Sequence, residues 1–361
     1  MQNHLLYYWL SLSRISALRA QKLLEVYAIE ELFDRVKSDA RIADLVSESV
    51  YQKLCEHCCI QIIESEHQKL TDSGINFLAF SDSNFPNKLK QANVPPPVGL
   101  YYKGDISLLN ADKPYAGIVG TRRSSTYGKD VTYKFSRELV DYSFIIVSGL
   151  ATGIDAYAHD AALKSNGKTI AVLGMGHNKF WPSDNFKLYN QICDKGLIIS
   201  EYPPSVEAAK YTFPERNRIV AALSDCLIVT EAAKKSGALI TASMALEQGK
   251  EIFCVPGNIT SVKSQGVNEL IKDGARPLTE TNDILSFFSL KNAKNMQTIP
   301  TLVLDIFEDK LYNLLQSEPL SFDQLLHETQ CSIPELTQKL FSLELKGAIA
   351  RQAGKVYRVV V

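Results

Sequence analysis

YAGIVGTRR (Tyr115–Arg123), FIIVSGLATGIDAYAH (Phe144–His159) and TIAVLGMG (Thr169–Gly176) decide how this chain folds. In each, an apolar run of strand length stops abruptly at a glycine-containing turn, and a helix-like pattern follows the first two. Strands alternating with helical segments are the sequence sign of βαβ units and a parallel sheet, so the fold class is α/β and doubly wound. Ligands of such sheets bind beyond the carboxyl ends of the strands. Gly120–Arg123, Ser148–Gly153 and Gly174–Gly176 are therefore expected to converge on one site.

Working outward, Tyr127–Tyr142 is amphipathic, with Val131, Phe135, Leu139 and Val140 on one side, and a helix is expected from near Asp155. LIIS (Leu197–Ser200), CLIV (Cys226–Val229) and EIFCV (Glu251–Val255) read as further buried strands. SGALITASMALEQG (Ser236–Gly249) reads as a helix with Ser236 as N-cap and Gly249 as its stop. Upstream, INFLAF (Ile75–Phe80) and VGLYYKG (Val98–Gly104) are strand-like and are expected to enter or flank the sheet. Residues 1–75 show the 3.6-residue periodicity of several short helices, as in Leu5, Trp9, Leu10 and Leu12. KNAKNMQT (Lys291–Thr298) is polar and aperiodic, which makes 291–300 a linker. Beyond it, Asp305–Gln316, Ser321–Thr329 and Ser332–Lys346 read as helices and Ile349–Val360 as a hairpin turning at Ala353-Gly354, together a winged helix over 301–361.

The net charge of −1 rules out a strong global attraction to polyanions. Lys113–Val220 nevertheless carries 14 Lys/Arg against 10 Asp/Glu, a local positive excess. Seven Cys, an odd number, suit reduced thiols better than a disulfide framework. Cys55, His57, Cys58 and Cys59 lie close together but lack a second ligand pair, so no metal is expected there. The N-terminus has no basic leader before an apolar core, and no apolar run approaches the roughly 20 residues of a membrane span. A cytoplasmic protein without a membrane partner is expected.

Three strand-end turns carry anion-binding chemistry. Gly120-Thr121-Arg122 offers close backbone approach, a hydroxyl and a planar donor fork; Ser148-Gly149 and Ser236-Gly237 repeat the small hydroxyl-glycine pair. Gly174-Met175-Gly176 lacks the third glycine of a dinucleotide fingerprint, and no phosphate-loop motif occurs, so no cofactor is expected. Asp155 and His159 share a helix face, but the aspartate suits a helix start and the histidine a hydrogen-bonded core role. With no G-x-S-x-G elbow and no partner for Glu201, no catalytic set emerges. Lys210-Tyr211-Thr212-Phe213-Pro214-Glu215-Arg216-Asn217-Arg218 interleaves cations with aromatics, the pattern that holds unpaired bases, and a helix is expected after Pro214. The alternative is a core Phe213 with Arg216 and Arg218 as ion-paired structural groups. Composition leaves both open.

VGTR (Val119–Arg122), SGLATGIDAYAH (Ser148–His159), Ser200-Glu201, FPERNR (Phe213–Arg218), SGALIT (Ser236–Thr241), VPG (Val255–Gly257) and GVNELIKDGA (Gly266–Ala275), in this order and spacing, resemble the DNA-processing protein A family, also called Smf. The resemblance covers about residues 75–285. It implies an extended Rossmann fold over 76–290, a helical SAM-like domain over 1–75 and a C-terminal winged helix. It further implies a non-enzymatic homodimer that binds single-stranded DNA and protects it. Such a protein loads a RecA-type recombinase onto incoming DNA during natural transformation. By position, Arg122 would bind phosphate, Lys210 the DNA backbone and Phe213 a base, while Ser148, Gly149, Ser236 and Gly237 would supply donors. Gly120, Thr121, Lys187, Arg216, Asn217 and Arg218 complete the expected DNA-binding set.

This chain departs from the family pattern at several positions. Trp181-Pro182-Ser183 stands where members often have Tyr-Pro-Lys, which leaves Lys179 or Lys187 to compensate, and Asn178 replaces an aspartate. Ile15-Ser16-Ala17-Leu18 lacks the glycines of a helix-hairpin-helix turn, so the N-terminal domain is not expected to bind DNA strongly. Glu335 and Glu344 offset Lys339 and Lys346 on the presumed recognition helix, while Arg351, Lys355 and Arg358 on the wing keep DNA or a protein partner open. The rival reading is a nucleotide-processing enzyme of the lysine-decarboxylase-like fold. That fold carries P-G-G-x-G-T-x-x-E where this chain has EAAKKSGALITAS (Glu231–Ser243).

Overall fold

All five residues of Tyr115–Val119 are buried, as a strand covered on both faces requires. The computed structural model describes residues 2–289, 304–352 and 354–359, and the expected linker over 291–300 lies outside them. The chain divides into two compact units, Met1–Asn295 and Met296–Val361.

The first unit begins with α1 (Gln2–Leu12), α2 (Ala17–Val26), α3 (Ile29–Arg35), α4 (Ala40–Leu45), α5 (Glu48–Glu56) and α6 (Ile60–Asp72). There follow β1 (Asn76–Ala79), α7 (Asn87–Lys90) and β2 (Gly99–Gly104), then the alternating core. That core runs β3 (Tyr115–Val119), α8 (Thr126–Asp141), β4 (Ile145–Ser148), α9 (Ile154–Lys164), β5 (Thr169–Leu173), α10 (Phe186–Lys195) and β6 (Leu197–Ser200). It continues through α11 (Thr212–Leu223), β7 (Cys226–Val229), α12 (Gly237–Glu247), β8 (Glu251–Cys254), α13 (Gln265–Lys272), β9 (Arg276–Pro277) and α14 (Asn282–Phe287).

The strands form one nine-stranded sheet in the order β1-β2-β6-β5-β4-β3-β7-β8-β9. From β6 to β9 every pairing is parallel, whereas β2 runs antiparallel to β6 and β1 antiparallel to β2. The chain steps from β3 outward to β6, then crosses back through α11 to place β7 on the other side of β3. The reversal leaves a crevice at the carboxyl ends of β3, β4 and β7, the place where this architecture binds ligands.

Side chains from α11 and α12 (Ile219, Val220, Leu223, Ala238, Ala242, Ala245) cover one face of the sheet. Val131, Phe135 and Leu139 of α8, with Ala158 and Ala162 of α9, cover the other. The N-terminal helices share their core with the sheet edge: Trp9, Leu23, Leu32, Leu54 and Ile63 pack in one cluster with Phe77, Ala79 and Tyr101. Cys55 and Cys58 lie within this bundle, their thiols directed at the carbonyls of Val36 and Phe33.

The second unit contains α15 (Ile306–Ser317), β10 (Leu320–Ser321), α16 (Phe322–Thr329), α17 (Ile333–Leu345), β11 (Ile349–Gln352) and β12 (Val356–Val359). Its helices begin where the sequence places them, because Asp305, Ser321 and Ser332 each accept first-turn amides, the first two in full capping boxes. The sheet order β10-β12-β11 completes a winged helix around Leu311, Leu325, Leu336, Leu340 and Tyr357. The two-residue β10 was not foreseen, being too short for any periodicity to register.

Candidate nucleic-acid interface

Glycines shape the crevice. A Cβ on Gly120, at the end of β3, would stand 2.6 Å from Ile154 and 3.0 Å from the Glu231 carbonyl. Thr121 is locked there by its amide, which donates to the Glu231 carbonyl (2.8 Å), and by its carbonyl, which accepts from Ile154 (3.3 Å). Its hydroxyl accepts from the Arg123 amide (3.2 Å), and Thr121 is not among the cavity-lining residues. Arg122 then projects outward, exposed.

The resulting cavity, about 340 Å³, is lined by Gly120, Arg122, Gly149, Asp155, Lys210, Phe213, Arg216, Asn217, Ser236 and Gly237, among others. Its charged lining residues are Arg122, Lys210 and Arg216 against Asp155, a local positive excess in a chain of net charge −1. Ser236 caps α12 by accepting from the Ala238 amide (3.3 Å), so the amino end of that helix, where the dipole is positive, forms one wall.

The basic-aromatic segment forms the opposite wall. The α11 helix starts at Thr212, earlier than expected, because Pro214 sits in the first turn, where its missing N–H costs nothing. The Thr212 hydroxyl bonds the backbone of Ala209, closing the corner that presents Lys210 and Phe213. The Arg122 guanidinium lies 4.9 Å from the Phe213 ring centroid and 5.8 Å from that of Trp181.

Arg216 forms the floor and is only 4% exposed. Its Nη1 donates to the carbonyls of Gly149 and Val172, and its Nε to Asn217 Oδ1 at 3.1 Å. Burial pulls the Arg216 pKa down to about 10, with Asp155 opposing the shift. Burial raises the Asp155 carboxyl, against the pull of Arg216 and of the Ala151 and Gly149 amides. The floor is thus a buried guanidinium bonded to the backbone at the ends of β4 and β5, with Asp155 as a nearby opposite charge.

Four expected residues lie outside the cavity lining. The buried Ser148 hydroxyl donates to the Ile118 carbonyl (2.6 Å), tying β4 to β3. Thr121 is consumed as described. Arg218 pairs with Glu201, both side chains 12% exposed, in a separate cavity beside the α1–α2 turn. Residues 216 and 218 are about 200° apart around a helix, so they could not both face one pocket. Lys187 is exposed on α10 away from the lining, and Lys179 pairs with Glu207 at 3.1 Å. Trp181 instead occupies the place beside Arg122.

Of the three groups considered for catalysis, Asp155 lies in the field of Arg216, Glu201 pairs with Arg218, and His159 is buried. The His159 Nδ1 lies 2.6 Å from the Thr169 hydroxyl, and burial pushes its pKa down to about 3. The Glu231 carboxylate accepts from the amide and hydroxyl of Ser125, bracing the turn into α8.

A doubly wound sheet with a cationic, aromatic-rimmed pocket at its switch point defines a Rossmann-type protein. Residues 76–289 match the model of DNA recombination-mediator protein A, and 300–355 match the DprA winged helix domain. The chain belongs to the DNA recombination-mediator protein A (DprA/Smf) family. It is 32% identical to the Synechocystis protein Smf, across 97% of this chain and 98% of that one. It is 39% identical to the Bacillus subtilis DNA processing protein DprA, over 62% and 74%. Its fold is similar to that of Streptococcus pneumoniae DprA (TM-score 0.67, 34% identity, 78% of this chain and 97% of that one). It is also similar to Helicobacter pylori DNA processing protein A, whose structure concerns its single-stranded DNA binding mode (TM-score 0.54, 32% identity, 59% and 95%).

Proposed function

We propose that this protein binds single-stranded DNA through the strand-end pocket, protects it as a non-catalytic homodimer in the cytoplasm, and loads a RecA-type recombinase during natural transformation. The observation that carries the reading is the convergence of Arg122, Lys210 and Phe213 on one rim facing the amino end of α12. Two cations suit phosphates, an aromatic face suits an unpaired base, and helix amides add donors without reading sequence. The single-stranded DNA binding of the H. pylori relative supports the same assignment. No described helix is long and apolar enough to cross a membrane.

The deciding experiment is a gel shift of single-stranded and duplex oligonucleotides with wild type and the Arg122→Ala/Lys210→Ala double variant. Sequence-tolerant preference for single strands, lost in the variant, is expected. Preference retained in the variant would move the site elsewhere. Absence of nucleic-acid binding, together with release of free base from AMP, would replace the reading with the nucleotide-processing enzyme. Recombinase loading is checked by filament formation on DNA already coated with single-strand-binding protein.

A further inference from the structure

The chain has two tryptophans, and they have opposite environments. Trp9 is fully buried, its indole N–H donating to the Leu54 carbonyl (3.0 Å), whereas Trp181 is 48% exposed. Trp181 sits on the loop between β5 and α10, with its ring centroid 5.9 Å from that of Phe213 and an interplanar angle of 56°. The Arg122 guanidinium carbon is within 6 Å of both centroids, at 5.8 and 4.9 Å. Two aromatic rings and one cation, from two loops and the first turn of α11, thus meet where Arg122 and Phe213 line the cavity, with Trp181 beside them.

The geometry limits what the two rings can do. Sandwiching one base needs parallel faces roughly 7 Å apart, twice the optimal carbon–carbon contact. Rings tilted by 56° with centroids 5.9 Å apart cannot do that, so a base that stacks here stacks on one ring only. A guanidinium between them is placed for the phosphate that joins two consecutive nucleotides.

We propose that Trp181 is a second base-stacking subsite, holding the nucleotide next to the one on Phe213, with Arg122 on the intervening phosphate. The inference rests on the single-stranded DNA reading above.

Trp181 is its own reporter, since Trp9 is shielded. Oligothymidylate is titrated into wild type, Trp181→Ala and Trp181→Phe while tryptophan emission and affinity are followed at several salt concentrations. Expected are a wild-type emission change that is absent in Trp181→Phe, and a roughly tenfold affinity loss in Trp181→Ala, about 1.4 kcal/mol. Trp181→Phe should recover most of that loss. The salt slope should stay at its wild-type value, because no phosphate contact is removed. An oligonucleotide abasic at one position should cost Trp181→Ala less than it costs wild type. Tight binding with unchanged emission and equal affinity of all three proteins would overturn the subsite and leave the reading standing. A flattened salt slope in Trp181→Ala would also overturn it, making Trp181 a positioner of Arg122. Absence of single-strand binding by wild type would remove subsite and reading together.

Discussion

The guanidinium carbon of Arg122 lies 4.9 Å from the centroid of the Phe213 ring, so a cation and an aromatic face share one rim of the pocket. Packing on the ring restrains the long side chain before any ligand arrives, which lowers the entropy lost on binding. Arg122→Ala should therefore weaken binding of all single-stranded sequences and flatten the salt slope by about 0.7 for the phosphate contact removed. Arg122→Lys should restore only part of the affinity, because an ammonium lacks the planar fork. Fluorescence anisotropy across a salt series measures both. Equal slopes in wild type and Arg122→Ala would count against the phosphate contact.

Gly149 leaves no room for a side chain: a Cβ there would stand 2.2 Å from Nη1 of Arg216. Arg216 is held by the carbonyls of Gly149 and Val172, so displacing it breaks both bonds in a buried site. Gly149→Ala should thus cost about 1–3 kcal/mol of stability and reduce DNA binding with it. Chemical denaturation and gel shift on the same preparation check this. A variant as stable as wild type would show the floor to be yielding.

Acid should destabilise the first unit through two buried imidazoles. Burial lowers the pKa of His159 to about 3 and of His177 to about 4. An unfolded imidazole takes a proton near 6.5. Between that value and the folded ones, the unfolded chain binds more protons, so stability rises with pH there and is lost as pH falls. Each histidine contributes a slope of at most about 1.4 kcal/mol per pH unit, fully recovered above about pH 6.5. His159→Gln should shallow the acid limb of a melting-temperature profile between pH 6.5 and 4 relative to wild type. Parallel profiles would place the acid sensitivity elsewhere.

In the winged helix, Lys346 donates to the Glu308 carboxylate (2.6 Å), whose side chain is 2% exposed, and Lys339 pairs with Asp305. These lysines hold α17 to the start of α15. Lys346→Met should lower the melting temperature of the second unit by leaving a buried carboxylate short of its cation. Single-stranded DNA affinity of the full chain should stay unchanged. A selective loss of DNA binding without destabilisation would assign Lys346 to an interface instead.

Much of the architecture was legible in the sequence because its determinants are local. Continuous apolar runs such as Tyr115–Val119 can only be doubly covered strands. Ser236 and Gly249 bound α12, and Asp305, Ser321 and Ser332 cap the C-terminal helices, because a cap acts within one turn of its own residue. The glycine turns likewise announced where strand ends would meet.

Which polar groups face the pocket was decided only by the tertiary structure. Arg216 and Arg218 look equivalent in sequence, yet one is bound by the Gly149 and Val172 carbonyls and the other by Glu201. The Ser148 hydroxyl resembles that of Ser236, but the neighbouring strand's Ile118 carbonyl takes it. Trp181 is 59 residues from Arg122 and 32 from Phe213, and no local pattern joins them. Composition and periodicity specify what a segment does with its own neighbours. Partners brought from distant strands are specified by packing, and the pocket is made of such partners.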